Sequence, residues 1–248
     1  MRIWHKIAVL GLLALAISGC GSTSKGPIEP AKITLAEVAP PDAAYPLLVY
    51  DPFGPVNRAI YTFNAGFDRY FFLPVVRGYV AVTPEFVRNR ISDFFVNVKE
   101  FRNFTNSVLQ LKGESAGRAV LRFVINLMFG FGGLYDIAAA KGVPQQPEDF
   151  GETLGHWGAG PGPYVVIPVL GPSNLRDGTG LVVDTLALYY ALPAEVTSSL
   201  AYYAVAYGLQ PVDTRYNTAF RYYGTGSPFE YDLVRFLYTE KRMLDIEK

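Results

Sequence analysis

Few side chains in this sequence could take part in covalent chemistry. His156 is the only histidine beyond residue 19 and Cys20 is the only cysteine, so a zinc site built from several such residues is excluded. Glycine-rich phosphate loops of the G-x-x-x-x-G-K-[ST] and G-x-G-x-x-G types are absent. The sequence therefore predicts a protein that is not an enzyme, with no catalytic residue, no metal site and no cofactor.

One short segment nevertheless concentrates titratable groups. Glu148, Asp149 and Glu152 could act as acid and base or bind Ca²⁺, and His156 could be the base of a lipid hydrolase. Acidic loop residues are more often solvated or paired with arginine, and a histidine beside Trp157 more often packs. We therefore expect that none of these four residues is catalytic or binds a metal, and that they are solvated, paired with arginine or packed against neighbours.

The N-terminus predicts export followed by lipid attachment. Arg2 and Lys6 precede an apolar run at 7–17. This run is too short to cross a bilayer, which takes about 20 residues, and is typical of a signal peptide. The sequence ISGC at 17–20 resembles the bacterial lipobox, in which the cysteine sulfur receives a diacylglycerol and the new N-terminal amine is acylated. We expect residues 1–19 to be cleaved and Cys20 to carry lipid; the alternative is an isolated core cysteine.

The composition of residues 20–248 indicates two parts and limits the kinds of partner that they could bind. Residues 20–49 are rich in Gly, Ser and Pro and predict a lipidated flexible tether, whereas 50–248 predict a single helical domain. Loss of the leader leaves 20 basic and 22 acidic residues, which gives no basic face for nucleic acid. Charged residues are only 18% and aromatics reach 15%, so the domain has either a large core or a surface that meets lipid.

The first helix carries the clearest pattern. Asp51 is a candidate N-cap, Pro52 fits the first turn, and Pro74 is expected to end or kink the helix predicted over 52–72. An apolar stripe with helical spacing follows: Phe53, Val56, Ile60, Phe63, Phe67 and Tyr70. Core packing and insertion into a membrane interface are both compatible with this stripe. Asn57 and Asn64 lie off it.

Further helices complete an all-α domain. One is predicted to open at Thr83-Pro84. A longer one is predicted over 92–111, and others over 114–129, 136–141, 181–191, 194–209, 212–223 and 227–245. The last is expected to begin with a capping box at Ser227 to Glu230. Residues 142–180 form a long Gly/Pro-rich segment that we expect to be an ordered loop, with 164–170 extended. Gly130, Phe131, Gly132 and Gly133 form an uncharged, hinge-like break.

Several segments in the same order resemble the MlaA/VacJ lipoproteins of Gram-negative outer membranes, over about 50–245. They are DPFGPVNR at 51–58 with Phe63-Asn64 after it, NSVLQLKG at 106–113, RFVIN at 122–126, GFGGLYD at 130–136, DFGETLG at 149–155, and the run from GPY at 162–164 through GPS at 171–173 to Arg176-Asp177.

The resemblance implies a ring-like disc of amphipathic helices with a central channel, embedded in the inner leaflet of the outer membrane beside a trimeric porin. It implies removal of misplaced glycerophospholipid from the outer leaflet. The lipid would pass to a soluble periplasmic carrier and then to an inner-membrane ABC transporter, with no bond made or broken.

On this view Asn57, Phe63, Asn64 and Phe67 are candidate channel or interfacial residues of the first helix, and residues 130–133 are a candidate gate. A purely structural lipoprotein and, less favoured, a lipid hydrolase that uses His156 are the alternatives.

Overall fold

A computed structural model describes residues 49–248 of the chain. The signal peptide, Cys20 and nearly all of the tether predicted over 20–49 therefore lie outside the described residues. The described part is mostly helical, as predicted. Its helices are α1 (Gly54–Phe67), α2 (Leu73–Val82), α3 (Glu85–Leu109), α4 (Gly113–Phe129), α5 (Ile137–Ala140), α6 (Phe150–His156), α7 (Leu175–Ala191), α8 (Ala194–Thr197), α9 (Leu200–Tyr203), α10 (Gln210–Asn217) and α11 (Glu230–Glu247).

The Gly/Pro-rich segment 142–180 is more regular than expected. It contains α6 and the start of α7, together with an antiparallel pair of strands, β1 (Tyr164–Ile167) and β2 (Gly171–Asn174). In their register Tyr164 lies opposite Asn174 and Ile167 opposite Gly171. Gly171 has φ +93°, a backbone conformation that a side chain would strain, so glycine permits the tight turn before β2. The prediction of one long loop was therefore wrong: the glycines and prolines of this segment lie largely in turns that connect short helices and strands.

The first helix differs from its prediction at both ends. Asp51 is not its N-cap, since α1 begins at Gly54 and the Asp51 carboxylate instead accepts from Asn57 Nδ2 at 2.7 Å and Tyr231 Oη at 2.6 Å. Pro74 does not end the helix either. A π-helical turn at Asp68–Phe72 leads directly into α2, where the proline stands in the first turn and needs no N–H partner.

Other boundaries also shifted. The helix predicted over 194–209 is divided among α8, α9 and a π-helical turn at Ala204–Leu209 that runs into α10. The final helix starts at Glu230 without a side-chain cap from Ser227. Glu230 points back instead and accepts from Tyr61 Oη at 2.7 Å. By contrast, α4 and α5 match their predicted spans within one residue.

Burial in the domain is reversed relative to an ordinary water-soluble protein. On α4, Arg122 and Asn126 are fully buried, whereas Met128 and Phe129 are 69% and 68% exposed. Only a small apolar core is buried, around Tyr61, Tyr164, Val166, Tyr231 and Val234. Val120, Phe123, Val124 and Leu127 of α4, whose helical spacing would suit a face packed on a core, are all exposed. Because the helices bury polar faces, hydrogen bonds and ion pairs hold much of the interior together.

None of the helices described within 49–248 combines the length and apolar character that crossing a bilayer requires.

Candidate functional site

The outer face of α1 is apolar and exposed. Phe63 is 55% and Phe71 56% exposed, and the ring of Phe67 lies between them, with centroids 6.1 Å from Phe63 and 4.9 Å from Phe71. Val56 and Tyr70 on the same stripe are also exposed. Core packing, one of the two interpretations of the stripe, was therefore wrong for Val56, Phe63 and Tyr70, whereas Ile60 packs against the small apolar core. Exposure of so many large side chains on one face is characteristic of surfaces that meet lipid or another protein.

The inner face of α1 binds the β-hairpin through Asn57 and Asn64. Asn57 donates to the Tyr164 carbonyl at 3.0 Å and accepts from Val166 N at 2.8 Å. Asn64 donates to the Ile167 carbonyl at 3.0 Å and accepts from Val169 N. Each side-chain amide thus completes two backbone hydrogen bonds at the edge of β1. These contacts give both residues a structural role at this edge of the hairpin. The channel or interfacial role considered for them stays a prediction.

Arg122 stands at the centre of one buried ionic cluster. Its Nε donates to Glu100 Oε1 at 2.5 Å, its Nη2 donates to Asp136 Oδ2 at 2.8 Å, and its Nη1 donates to the Val143 carbonyl. Burial by itself would raise the pKa of Asp136, but hydrogen bonds from Arg122 and Ala139 N hold that pKa below its usual value. The cluster joins α3, α4 and the segment around α5.

A second cluster explains the acidic segment at 148–152. Arg242 of α11 donates to Asp149 and Asp177 at 2.8 Å and to Glu152 at 2.9 Å. Asp149 also caps α6 by accepting from Glu152 N at 2.9 Å. These carboxylates therefore pair with arginine, as expected, and tie α6, α7 and α11 together.

Glu148 lies apart from that cluster and is held from α3 and the turn that follows. It accepts from Gln110 Nε2 at 2.9 Å and from Lys112 Nζ at 3.2 Å, while its own N–H donates to Asn103 Oδ1. Its carboxylate is almost fully buried. The four carboxylates in this region are thus engaged by the protein's own donors, and no group of three or more metal-ligating side chains is found in residues 49–248.

The segment 130–133 has a defined left-handed backbone. Phe131, Gly132 and Gly133 have φ values of +51°, +74° and +92° in succession. Asn126 O accepts from both Gly130 N and Gly133 N, at 3.0 and 2.9 Å. Phe131 projects from this turn with 80% of its surface exposed. A phenylalanine with positive φ is strained, so the turn holds conformational energy at an exposed apolar tip.

His156 has no catalytic surroundings. Its ring packs edge-on to Trp157 with centroids 5.8 Å apart, and within the described chain no hydrogen bond joins it to a carboxylate or hydroxyl. The sequence does contain one G-x-S-x-G match, at 113–117, which the sequence reasoning overlooked. This match forms the first turn of α4 after a loop, not the strand-to-helix turn that exposes a nucleophilic serine.

Sequence reasoning also missed two cations on α3. Lys99 and Arg102 are half-buried one helical turn apart, on a helix that packs against α4, α6, α7 and α10. They carried no sequence signal because neither belongs to a recognisable motif. The tyrosines at 189, 190, 202, 203 and 207 were likewise not predicted to form one group, yet their rings form a chain of edge and stacked contacts near α8 and α9.

The sequence of this chain is similar to those of several known proteins. Among curated sequences, the chain is 39% identical over 142 residues to an uncharacterized protein of Rickettsia felis. It is 36% identical over 138 residues to the intermembrane phospholipid transport system lipoprotein MlaA of Escherichia coli K12, and 32% identical over 162 residues to that of Haemophilus influenzae. The aligned regions cover 57%, 54% and 64% of this chain, respectively.

The chain spans 57%, 55% and 64% of the length of these three relatives. It also resembles a solved structure from work on the maintenance of bacterial outer-membrane lipid asymmetry, with a TM-score of 0.64 and 28% identity. That match covers 80% of this chain and all of the solved chain. The family description of the MlaA lipoproteins matches residues 49–245, so this chain belongs to the MlaA lipoprotein family.

Proposed function

We propose that this protein is an outer-membrane lipoprotein of an intermembrane phospholipid transport system. It removes misplaced glycerophospholipid from the outer leaflet and passes it inward, which maintains lipid asymmetry. The observation that carries the proposal is the reversal of burial: fully buried Arg122 and Asn126 share α4 with the exposed Met128 and Phe129. The names of the Escherichia coli and Haemophilus influenzae relatives support the same function.

The physical role of each face follows from the chemistry of the cargo. A phospholipid moving between leaflets can keep its acyl tails in hydrocarbon, but its charged headgroup costs several kcal/mol or more where no polar partner exists. The protein would be embedded in the outer membrane from the periplasmic side, with the exposed stripe that contains Phe63, Phe67 and Phe71 among the acyl chains. Polar groups on the inner faces of the helices would line the path of the headgroup through a ring-like disc.

The segment 130–133 is the proposed gate of that path. Its strained left-handed turn is held by Asn126 O, and the exposed Phe131 could insert among acyl chains. Because Gly132 has no atom within 4 Å of the position that a Cβ would occupy, the turn has room to move there. Lipid released past the gate would pass to a soluble carrier of the MlaC type and then to an inner-membrane ABC transporter, with a trimeric porin beside the disc.

Cys20 is the proposed site of lipid attachment. Several acyl chains hold a protein at a membrane far more durably than one, which binds only marginally. A Cys20→Ala variant should therefore be exported yet fail to stay in the outer-membrane fraction, a result that fractionation of cells expressing it would measure.

The function is tested by the phospholipid content of the outer leaflet in cells that lack this protein. Accumulation that a wild-type copy reverses supports transport, whereas an unchanged leaflet would leave a purely structural lipoprotein as the better account. A His156→Ala copy separates transport from hydrolysis, since the exposed, unbonded ring predicts full complementation. A copy that failed to complement while being normally expressed would revive the hydrolase alternative.

A further inference from the structure

Within the part of the chain that the structure describes, two half-buried cations form no hydrogen bond and no ion pair. Lys99 and Arg102 are both half-buried on α3, and across residues 49–248 neither makes a hydrogen bond or an ion pair. The Nε atom of Arg102 is inaccessible to solvent and still has no acceptor. An unmet charged donor in a partly dry environment is costly, so a feature of this kind calls for an explanation.

Other interior cations in the described chain are treated differently. Arg122 bonds Glu100 and Asp136, Arg215 bonds both oxygens of Asp68, and Arg242 bonds three carboxylates. Every further lysine or arginine in 49–248 that is buried or half-buried also has a hydrogen-bond or ion-pair partner: Arg58, Arg69, Arg88, Arg90, Lys112, Arg118, Arg176 and Arg235. Lys99 and Arg102 therefore stand out against a consistent pattern.

Asp213 and Asp184, which interact electrostatically with Lys99 and Arg102 respectively, already accept hydrogen bonds from other groups. Asp184 on α7 accepts from Asn106 Nδ2 at 2.8 Å and from Phe150 N at 2.9 Å. Asp213 on α10 accepts from Ser92 Oγ at 2.6 Å. Burial and the neighbouring charge of Arg102 lower the pKa of Lys99, while Asp213 raises it. The protein thus brings two positive charges together and supplies no anion of its own to bind them directly.

We infer that Lys99 and Arg102 bind the phosphate group of a phospholipid headgroup inside the domain. The inference rests on the proposed transport function and names a site for its cargo. A lysine ammonium offers three donors and a guanidinium five in a planar fork, and a phosphodiester carries two charged oxygens that can accept them. Two cations one turn apart suit a single anion of that size. Because both phosphatidylethanolamine and phosphatidylglycerol carry this phosphate, both should bind.

The test uses the full mature protein purified in detergent and a double variant, Lys99→Gln with Arg102→Gln. Its matched control, Arg118→Gln with Lys241→Gln, removes the same charge from two surface pairs, with Glu114 and Asp245. Equilibrium binding is measured for fluorescent phosphatidylethanolamine and phosphatidylglycerol, with diacylglycerol as the phosphate-free reference. Inorganic phosphate serves as a competitor.

The expected result is a loss of affinity of about tenfold or more for both phospholipids in the double variant, because charged hydrogen bonds are lost. Diacylglycerol binding and the control variant should be unchanged. The Tm of the double variant should stay the same or rise, since the variant removes two unpaired cations from a partly dry site. If Tm instead falls, a second pair, Lys99→Arg with Arg102→Lys, keeps both charges and must bind phospholipid like the wild type.

Different outcomes separate the site from the function. Equal phospholipid affinity in the wild type and the double variant would overturn the site and leave transport standing. Failure of the charge-preserving pair to bind would also overturn it. A wild-type protein that binds neither phospholipid would contradict the proposed function itself. Displacement of lipid by inorganic phosphate at equal concentration would assign the pair to free phosphate and overturn the headgroup assignment.

Discussion

Replacing Arg122 by methionine should destabilise the domain more than any single change at its surface. The guanidinium donates to Glu100 at 2.5 Å, to Asp136 at 2.8 Å and to the Val143 carbonyl, so one side chain joins three parts of the chain. Methionine keeps most of the length but removes every donor. Glu100, which is 1% exposed, would lose its counterion where water cannot take its place.

The size of the effect follows from the burial of the cluster. Removing one partner of a buried ion pair costs about 3–5 kcal/mol, chiefly because the other charge is left uncompensated. Arg122 has two such partners, although Asp136 is partly accessible and can be rehydrated. We therefore expect a loss of about 3–5 kcal/mol, a large share of the roughly 5–15 kcal/mol that holds a typical domain folded.

The assay is denaturant unfolding of the purified protein in detergent, followed by circular dichroism, with Arg118→Met as the matched control. Arg118 lies one turn earlier on α4 and pairs with Glu114 at 2.9 Å, but the glutamate side chain is 86% exposed. Such a surface pair contributes at most about 1 kcal/mol. Adding Glu100→Gln to Arg122→Met should recover part of the loss. Equal losses in the two methionine variants would refute the reasoning that buried polar groups hold this interior together.

Three further predictions concern the strained turn, the ionic cluster and the outer face. Gly133→Ala should cost more stability than Gly132→Ala in the same unfolding assay: a Cβ at Gly133 would approach the Asn97 side chain to 2.6 Å, whereas one at Gly132 meets no atom within 4 Å. The pKa of Asp177 is held low, since hydrogen bonds from Arg242 outweigh the effect of burial. The ionised Asp177 therefore contributes fully to the stability of the fold above the unfolded pKa of about 3.9, and this contribution is lost as pH falls through the folded pKa. Asp177→Asn should consequently reduce the drop in Tm between about pH 5 and pH 2. Phe63→Ser should leave Tm within about 2–4 °C of the wild type and weaken binding to phospholipid vesicles in flotation; unchanged flotation would argue against lipid contact at this face.

Helix positions were largely accessible from sequence because they depend on local features. The apolar period at 114–129 predicted α4 to within one residue, and Asp136 caps α5 by accepting from Ala139 N at 3.0 Å. Boundaries that depend on distant partners were missed. Glu230 resembled half of a capping box, yet its carboxylate is used by Tyr61, which is 169 residues away in sequence.

The candidate site shows the same division. The motif Asp51 to Arg58 was found in the sequence, but its function in folding was not, since Asn57 and Asn64 reach the β-hairpin more than 100 residues later. Asp149 and Glu152 pair with arginine, as expected, while the identity of that arginine, Arg242, came only from the fold. Glu148 pairs with Lys112 instead. Lys99 and Arg102 gave no local signal at all, because their distinguishing property is the partners that they lack.

The sequence by itself determined the helical class and the family, since these follow from local periodicity and from short motifs in a fixed order. Export and lipid attachment at Cys20 stay predictions from the same kind of local motif. Only the tertiary structure decided which face of each helix is turned inward. A periodic apolar stripe shows that the two faces of a helix differ in polarity, but it does not predict whether the apolar face packs in a core or contacts lipid. In α1 and α4 the polar face is buried, and the physical reason is that distant carboxylates, arginines and backbone groups, brought together by the fold, satisfy it there.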